Sequence, residues 1–281
     1  TETNLPEKEN LSYFGVNNNQ SHWIYNFSLP PLLVHSFLFE DSTHLNKWSK
    51  NLPTTKIGNN YLNFIASHDG IGMRPVEGYL NKENLSKFFK RLKINGGQLS
   101  YRKVQGSPKK VYEANITLFD AFKKTDYDKN GRYFLQRYIS AHAIMIAFEG
   151  IPAIYFNSIF GTSNDKYKYI ISGNKRDLNR YKWNKNRLEN LLKNKKSKQS
   201  IFYQKITDLI LIKKQNKAFH PNAKRESLKM GKKIFCFKRI SLDKKQVIIS
   251  ITNCSSVDQY PKLDKSYIKW KNIINPQTKF L

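Results

Sequence analysis

Cysteine is scarce in this chain of 281 residues, which has only Cys236 and Cys254. Both lie in apolar or strand-like runs, where a free thiol behaves as a small buried hydrophobic side chain. A disulfide or a metal pair fits this pattern less well, and no group of His, Cys and carboxylate residues has the spacing of a metal site. We therefore expect a protein of a reducing compartment that uses no metal or cofactor.

Long hydrophobic runs are also missing. No apolar run approaches the roughly 18 residues that a membrane-spanning helix needs, so we expect no membrane association. The chain opens on Thr-Glu-Thr-Asn-Leu-Pro-Glu, which is polar and acidic and does not resemble a signal peptide. It has no initiator Met, as if it began inside a gene product. Together with the free thiols, these features predict a cytoplasmic protein.

Acidic residues are few beside the basic ones: 49 Lys and Arg oppose 21 Asp and Glu, a formal net charge of +28. Such an excess is typical of nucleic-acid-binding proteins. Here the charge is spread along the chain, and its densest run, residues 182–198, alternates with Asn and Leu like a solvated helix face. No zinc spacing or RNA-binding signature accompanies it, so we expect no nucleic-acid partner. A positive field can still attract small anions such as phosphate.

The apolar pattern predicts strands that alternate with helices, and then a small β-rich region. Strands are expected at residues 23–28, 61–65 and 153–156, and helices at 32–38, 44–50, 82–93, 133–149 and 200–214. Alternating strands and helices favour a parallel sheet. Beyond a boundary near Phe219, β-branched and aromatic runs predict a small antiparallel sheet from residues 233–240, 246–253 and 267–274.

The stretch 63–72 reads Asn-Phe-Ile-Ala-Ser-His-Asp-Gly-Ile-Gly. It places His68 and Asp69 just after a predicted buried strand, before a turn built on Gly70 and Gly72. Barrel enzymes present their catalytic side chains at this end of their parallel strands. A bare His-Asp dipeptide is more often a surface pair, so its context decides. The connection that follows, from residue 70 to about residue 130, is long, and long connections in compact folds usually have functional roles.

Six blocks of sequence then occur in a recognisable order. They are Thr-Glu-Thr-Asn-Leu-Pro-Glu at residues 1–7, Ser-Tyr-Phe-Gly at 12–15, Tyr-Asn-Phe-Ser-Leu-Pro-Pro at 25–31, the stretch 63–72, Ile-Pro-Ala-Ile-Tyr-Phe at 151–156, and Arg-Asp-Leu-Asn-Arg at 176–180. In this order they resemble the sucrose phosphorylase-like branch of the α-amylase superfamily, glycoside hydrolase family 13. One block alone would be weak evidence, whereas the set is specific and extends over nearly the whole chain.

The resemblance implies an α/β fold, namely the C-terminal half of a (β/α)₈ barrel followed by a small antiparallel β domain. Residues 1–218 would form the partial catalytic barrel, from strand five to strand eight, and residues 219–281 the β domain. The connection at about residues 70–130 would be a subdomain inserted after strand seven. The N-terminal half of the barrel would have to be supplied in cis.

The resemblance also implies a retaining double displacement at the anomeric carbon of a sugar, with a nucleophile and an acid/base about 5–5.5 Å apart. Glu2 matches the acid/base of the family, and Asp69 matches the carboxylate that stabilises the transition state. His68 would hydrogen-bond the bound glucose. The nucleophile, an aspartate at the end of strand four, would lie upstream of residue 1.

Three further residues match substrate-binding positions of the family. Arg176 corresponds to the arginine that binds glucose near the reacting carbon. Tyr112 and Glu113 correspond to a mobile loop on the acceptor side of the site. The implied ligands are a small-molecule α-glucoside and inorganic phosphate, which takes the glucosyl group and gives α-glucose 1-phosphate.

The identity of the acceptor, which is fructose, glycerate or glycerol, stays open at this point. At the matching positions, sucrose-specific members of the family have Tyr-Gln and Thr-His-Asp. This chain has Tyr112-Glu113 and Ser67-His68-Asp69, which look more like the residues of glucosylglycerate and glucosylglycerol phosphorylases. A carboxylate accepts hydrogen bonds but cannot donate them as an amide does, which puts fructose recognition in doubt. The alternatives are a related glucoside hydrolase or transglucosylase, and a non-catalytic fragment. We expect the 281 residues alone to be inactive.

Overall fold

The computed structural model describes residues 1–262 and 270–275, apart from the side chains of residues 18 and 107. Helices in this part of the chain are α1 Glu7–Ser12, α2 Leu29–Phe39, α3 Thr43–Asn51, α4 Lys82–Ile94, α5 Leu118–Lys123, α6 Phe134–Ala147, α7 Phe156–Ile159, α8 Lys166–Ser172, α9 Lys185–Lys193 and α10 Lys198–Gln215. Strands are β1 Trp23–Tyr25, β2 Asn60–Asn63, β3 Ile71–Gly72, β4 Gln98–Val104, β5 Ser107–Asn115, β6 Ile151–Pro152, β7 Lys224–Leu228, β8 Ile234–Ile240 and β9 Val247–Asn253. Short 3₁₀ turns occupy Val16–Asn18, Arg74–Val76, Lys175–Asn179 and Lys217–Phe219.

A parallel sheet in the order β1-β2-β6 lies at the centre of the fold. The predicted alternation of strands and helices is thereby confirmed. The amino-terminal residue adds to the sheet beside β1: the terminal ammonium of Thr1 donates to the carbonyl oxygen of Trp23 at 2.7 Å, and the amide of Tyr25 donates to that of Thr1 at 3.1 Å. These two bonds have the pattern of a parallel bridge.

Buried amide side chains tie the parallel strands together, since Asn63 at the end of β2 bonds to Asn26, just after β1, and to Glu149, just before β6. Asn63 accepts a hydrogen bond from the Asn26 side chain at 2.9 Å and donates to the carbonyl oxygen of Glu149 at 2.7 Å. All three residues are almost fully buried. Since buried polar groups must be paired, this ladder fixes the relative height of the strands on which the loops of the candidate site are built.

The connection between β2 and β6 contains a second sheet, antiparallel and in the order β3-β5-β4, together with the amphipathic helix α4. β3 begins only two residues after Asp69 and pairs with β5, with Gly72 opposite Glu113. The turn predicted at Gly106 joins β4 to β5. This sheet therefore brings residues more than 40 positions downstream of Asp69 to the end of the parallel sheet.

The third sheet, in the order β7-β8-β9, is antiparallel and packs against α3 and α6. Its attachment is polar as well as apolar. The guanidinium of Arg225 lies 3.2 Å from the Glu149 carboxylate and donates to the carbonyl oxygen of Leu52 at 2.8 Å, and that of Arg239 donates to the carbonyl oxygen of Ala147 at 2.8 Å. The predicted strands at 233–240 and 246–253 are confirmed. The charged strand β7 was not predicted. Of the predicted strand at 267–274, residues 267–269 lie outside the described residues, and residues 270–274 form no strand, so the prediction is wrong for that part.

Two local predictions differ from the structure. The run 153–156 was expected to be a strand, but β6 is Ile151–Pro152 and α7 starts at Phe156. The amide of Ala153 still donates to the carbonyl oxygen of Asn63 at 2.7 Å, after which the chain leaves the sheet. A short apolar run does not by itself distinguish a strand from a helix, because strands and buried helix segments share that composition. The polar loop predicted at 172–183 contains the 3₁₀ turn Lys175–Asn179.

Cys236 and Cys254 are both free and buried, as predicted. Burial raises the pKa of each thiol to about 12, so both stay protonated and unreactive near neutral pH. Among the helices of the described residues, none is both long enough and apolar enough to cross a membrane.

Candidate active site

Asp69 lies in a tight turn between β2 and β3. Its amide donates to the hydroxyl of Ser67 at 3.1 Å, which closes the turn. Gly70 follows because a Cβ at that position would meet the carbonyl oxygen of Ala114 on β5. The lack of a side chain thus allows two backbones to approach closely and leaves the Asp69 carboxylate at the carboxyl end of β2. This is where the sequence predicted it.

The Asp69 carboxylate is surrounded by two guanidinium groups and an imidazole. Its Oδ1 lies 3.1 Å from Nη1 of Arg176, 3.0 Å from Nη2 of Arg180 and 3.5 Å from Nε2 of His68. About 29 % of the Asp69 side chain is exposed, and 60 % of that of His68. The site is therefore open to small ligands but organised around one carboxylate. Charged hydrogen bonds of this kind are stronger and more directional than neutral ones.

The segment after α8 supplies both arginines. The 3₁₀ turn Lys175–Asn179 is capped by the Asn174 side chain, which accepts from the amide of Arg176 at 3.1 Å. At its other end, Nδ2 of Asn179 donates to the carbonyl oxygen of Asp69 at 2.7 Å, and Nε of Arg180 donates to that of His68 at 3.0 Å. Asn179 and Arg180 were not predicted as site residues, although the block 176–180 contained the signal.

Glu113 approaches from the opposite side. Its Oε1 accepts hydrogen bonds from the amide of Gly70 and from Nδ2 of Asn115, the latter at 2.8 Å. Its Oε2 lies 3.0 Å from Nη2 of Arg176. Only 3 % of Glu113 is exposed. One guanidinium, that of Arg176, therefore bridges a buried carboxylate and a partly exposed one, Asp69.

The resemblance implied a mobile loop at Tyr112 and Glu113, but the structure places both within β5, the central strand of its sheet. The reason is that each side of Glu113 is paired, with Gly72 on β3 and Ser100 on β4. Tyr112 is half-buried, and its phenol is near enough to Arg176 to act on that side chain electrostatically.

The electrostatics of Arg176 follow from these contacts. Partial burial disfavours its charged form, but the hydrogen bond and charge of Glu113, with the charge of Asp69, outweigh that effect and hold the pKa of the guanidinium above its ordinary value. Arg176 is thus a fixed cation at the site. Among the described residues, no three His, Cys, Asp or Glu side chains are grouped as a metal site would require.

Glu2 lies apart from this cluster. It is exposed, and within the described chain its side chain makes no hydrogen bond or ion pair. Its neighbours place it at the same end of the sheet: Thr1 bonds to β1, and Nδ2 of Asn4 donates to the carbonyl oxygen of Tyr112 at 3.4 Å. Of the predicted site residues, four form a chain of contacts in the order His68, Asp69, Arg176 and Glu113; Tyr112 is adjacent and Glu2 stands free.

Known structures share this fold. The crystal structure of sucrose 6F-phosphate phosphorylase from Thermoanaerobacter thermosaccharolyticum superposes with a TM-score of 0.69 and 19 % identity, over 90 % of this chain and 49 % of that one. An α-amylase from H. orenii superposes with a TM-score of 0.52 and 14 % identity, over 90 % of this chain and 42 % of that one. The fold is therefore that of the α-amylase-type barrel proteins, of which this chain spans less than half.

Relatives with a known activity indicate the class of enzyme to which the homologues of this chain belong. The glucosylglycerate phosphorylase of Spirochaeta thermophila is 32 % identical over 260 residues, which is 92 % of this chain and 43 % of that protein. Glucosylglycerol and sucrose phosphorylases are also among the relatives. No profile of a known protein family matches the chain. The homologues of this chain are thus phosphorylases of glycoside hydrolase family 13, which confirms the resemblance seen in the sequence.

Proposed function

We propose that the gene product that contains these 281 residues is a retaining α-glucoside phosphorylase. It transfers the glucosyl group of an α-glucoside to inorganic phosphate and releases α-glucose 1-phosphate. The observation that carries this proposal is the Asp69 carboxylate, held by Arg176, Arg180 and His68 at the carboxyl end of a parallel strand. The phosphorylase homologues support the reaction type.

The proposed reaction has two displacements at the anomeric carbon. A carboxylate from outside this chain attacks that carbon while Glu2 protonates the departing oxygen, which yields a glucosyl-enzyme ester and the free acceptor. A phosphate oxygen then attacks the same carbon, Glu2 takes back a proton and the ester bond breaks. Asp69 and His68 hold the sugar hydroxyls, and Asp69 stabilises the positive charge that develops in each transition state.

The cations around Asp69 suit a phosphate acceptor. Arg176 and Arg180 are 40 % and 33 % exposed, so each presents donors to a ligand while it holds the carboxylate. Guanidinium groups bind phosphate oxygens in a forked geometry. The formal charge of +28 further favours the approach of an anion. A hydrolase of the same fold needs no such anion site.

For the architecture we propose that residues 1–218 form strands five to eight of the barrel, with an inserted subdomain at about residues 70–130, and that residues 219–281 form the β domain. The parallel bridge of Thr1 with β1 supports a further strand before β1. The separate antiparallel sheet β3-β5-β4 supports the insertion. The remaining strands and the nucleophile would be supplied in cis by the rest of the gene product. That part corresponds to the region of the relatives that this chain does not match.

For the substrate we propose a glucoside of glycerate or glycerol rather than sucrose. The pair Tyr112-Glu113 and the sequence Ser67-His68-Asp69 favour this choice, and so does the identity with glucosylglycerate phosphorylases. The acceptor-side groups here are a phenol and cations, which suit a small polar or anionic acceptor.

The test is an assay of the gene product with glucosylglycerate, glucosylglycerol and sucrose in turn, with and without phosphate. Phosphate-dependent release of α-glucose 1-phosphate is the expected result, fastest with glucosylglycerate or glucosylglycerol. Release of free glucose independent of phosphate would instead establish a hydrolase. The 281 residues alone should show no turnover, because the attacking carboxylate is not among them; measurable phosphorolysis by this chain would contradict that assignment.

A further inference from the structure

We propose that Glu113 is a positioning residue of this site: its carboxylate sets the direction of the Arg176 guanidinium and the turn after Asp69, and it does not bind the acceptor. The inference rests on the proposed function for its kinetic part. It departs from the role that the family resemblance gave to Glu113, which was contact with the acceptor sugar.

Glu113 is placed by the sheet rather than by a loop. It lies on the central strand β5, opposite Gly72 on one side and Ser100 on the other. Its side chain is 4 % exposed. A carboxylate so nearly removed from solvent is costly unless its oxygens are paired, and here they are.

Both oxygens of Glu113 are in use. Oε1 accepts from the amide of Gly70 and from Nδ2 of Asn115, and Oε2 from Nη2 of Arg176. The orientation of Asn115 is itself fixed, since its Oδ1 accepts from the Ser100 hydroxyl at 2.7 Å. Three donors use three of the four lone pairs of the carboxylate, and because the side chain is only 4 % exposed, a ligand hydroxyl could reach the remaining one, on Oε2, only if the packing around Glu113 opened.

The same contacts control Arg176. Its side chain is 40 % exposed, so packing alone leaves it free to turn. The bond from Nη2 to Glu113 fixes the plane of the guanidinium, and the plane directs Nη1 at Asp69, 3.1 Å away. An arginine held on one edge by a buried carboxylate is preorganised, which lets it act on a substrate without first paying for reorientation.

Glu113 also fixes the backbone beside Asp69. The amide that it holds belongs to Gly70, the next residue, whose backbone lies against the carbonyl of Ala114. One buried side chain thus fixes both the residue after Asp69 and the cation that faces the Asp69 carboxylate. Asp69 and Arg176 keep a constant separation, because the turn that carries Asp69 and the guanidinium of Arg176 are both hydrogen-bonded to Glu113.

Substitution Glu113→Gln tests this in the gene product. Gln has the same shape, but if its oxygen keeps the Gly70 amide, its NH₂ group faces Nη2 of Arg176 with a donor against a donor. We expect kcat to fall roughly tenfold to a hundredfold, the worth of a charged hydrogen bond, with KM for the glucoside changed by less than about threefold. A large rise in the KM for the glucoside with kcat unchanged would show that Glu113 binds the departing group of the glucoside and would overturn the proposal.

A double-mutant cycle shows whether Glu113 acts through Arg176. In an Arg176→Lys background, where the bridging fork is lost, Glu113→Gln should cost less than about threefold in kcat. Equal costs in both backgrounds would overturn the proposal. The matched control is Glu77→Gln: Glu77 follows the 3₁₀ turn Arg74–Val76 and pairs with Arg102 of β4 at 2.9 Å, without contact to Asp69 or Arg176, and its loss should leave kcat and both KM values unchanged.

A measurement that needs no turnover separates this proposal from the proposed function. In protein labelled with ¹⁵N-glycine, Glu113→Gln should shift the Gly70 amide proton upfield and speed its exchange with solvent, whereas Glu77→Gln should do neither. An unchanged Gly70 signal would overturn the proposal even in an inactive protein. If Glu113→Gln does not fold, Glu113→Asp keeps the charge but is too short to hold both Gly70 and Arg176, and the same shift and the same kcat loss are expected.

Discussion

A single guanidinium, that of Arg180, holds both members of the pair His68-Asp69. Its Nε donates to the carbonyl oxygen of His68 and its Nη2 lies on Oδ1 of Asp69, each at 3.0 Å. Lysine cannot reproduce this fork, because its ammonium is one point charge on a flexible stem. The geometry therefore makes Arg180 as necessary to the Asp69 turn as any residue that the sequence singled out.

We expect Arg180→Lys to lower kcat/KM of the gene product by roughly tenfold to a hundredfold, the worth of a lost charged hydrogen bond near the reacting carbon. The measurement is the initial rate of glucose 1-phosphate formation at limiting glucoside. Arg187→Lys, an exposed residue of α9, serves as the matched control and should change nothing. Full activity of Arg180→Lys would show that Asn179 and Ser67 suffice to hold the turn.

Stability should depend on pH through two buried histidines. Burial lowers the pKa of His142 and of His35 to about 4, and the nearby His44 adds to the effect on His35. The unfolded chain binds these protons near pH 6.5, whereas the folded chain does not. The contribution of these two histidines to the free energy of unfolding is therefore complete above pH 6.5. It is lost as pH falls from 6.5 towards 4, by a few kcal/mol for each residue.

The check is urea unfolding of the 281-residue chain at several pH values between 7 and 4. His142→Gln should flatten this dependence, because it removes one of the two groups that must stay neutral. His22→Gln is the control, since His22 is exposed and should leave the slope as it is. A wild-type stability that does not change across this range would contradict the assignment.

The contact between the third sheet and the region of the parallel sheet should contribute strongly to stability. The Arg225 and Glu149 side chains are each only 2 % exposed, and Glu149 also accepts from the amide of Thr55 at 2.8 Å. Removing one partner leaves an unpaired buried charge, so we expect Glu149→Ala to lower the free energy of unfolding by about 3–5 kcal/mol. Glu83→Ala removes an exposed pair with Lys87 and should have no measurable effect. Equal effects of the two variants would show that the interface does not depend on this pair.

Much of the fold follows from local sequence, and the contacts of the site do not. Helix α6 was predicted within two residues at each end, because its apolar residues recur at helical spacing and the helix breakers Gly150 and Pro152 follow it. The position of Asp69 after a strand was predicted for similar reasons. The partnership of Glu113 with Gly70 joins residues 43 positions apart, and no periodicity records it. The strand β7 was missed because Arg225, charged in sequence, is buried by a partner that lies 76 residues away.

The assignment of Glu2 as acid/base can be tested by changing the leaving group. Glu2 stands free of the Asp69 cluster, as an acid that must reach a substrate oxygen would. General acid catalysis contributes roughly a hundredfold to ten-thousandfold, and only when the departing oxygen needs a proton. Glu2→Gln in the gene product should therefore lose that factor with a glucosyl glycoside but far less with α-glucosyl fluoride, since fluoride leaves without protonation. Phosphate, already an anion, needs little help in the second step.

Asp69→Asn is the matched control, because a carboxylate that stabilises the transition state acts on both donors and its loss should slow both alike. If Glu2→Gln slows both donors equally, Glu2 is not the acid, and the proton must come from another group.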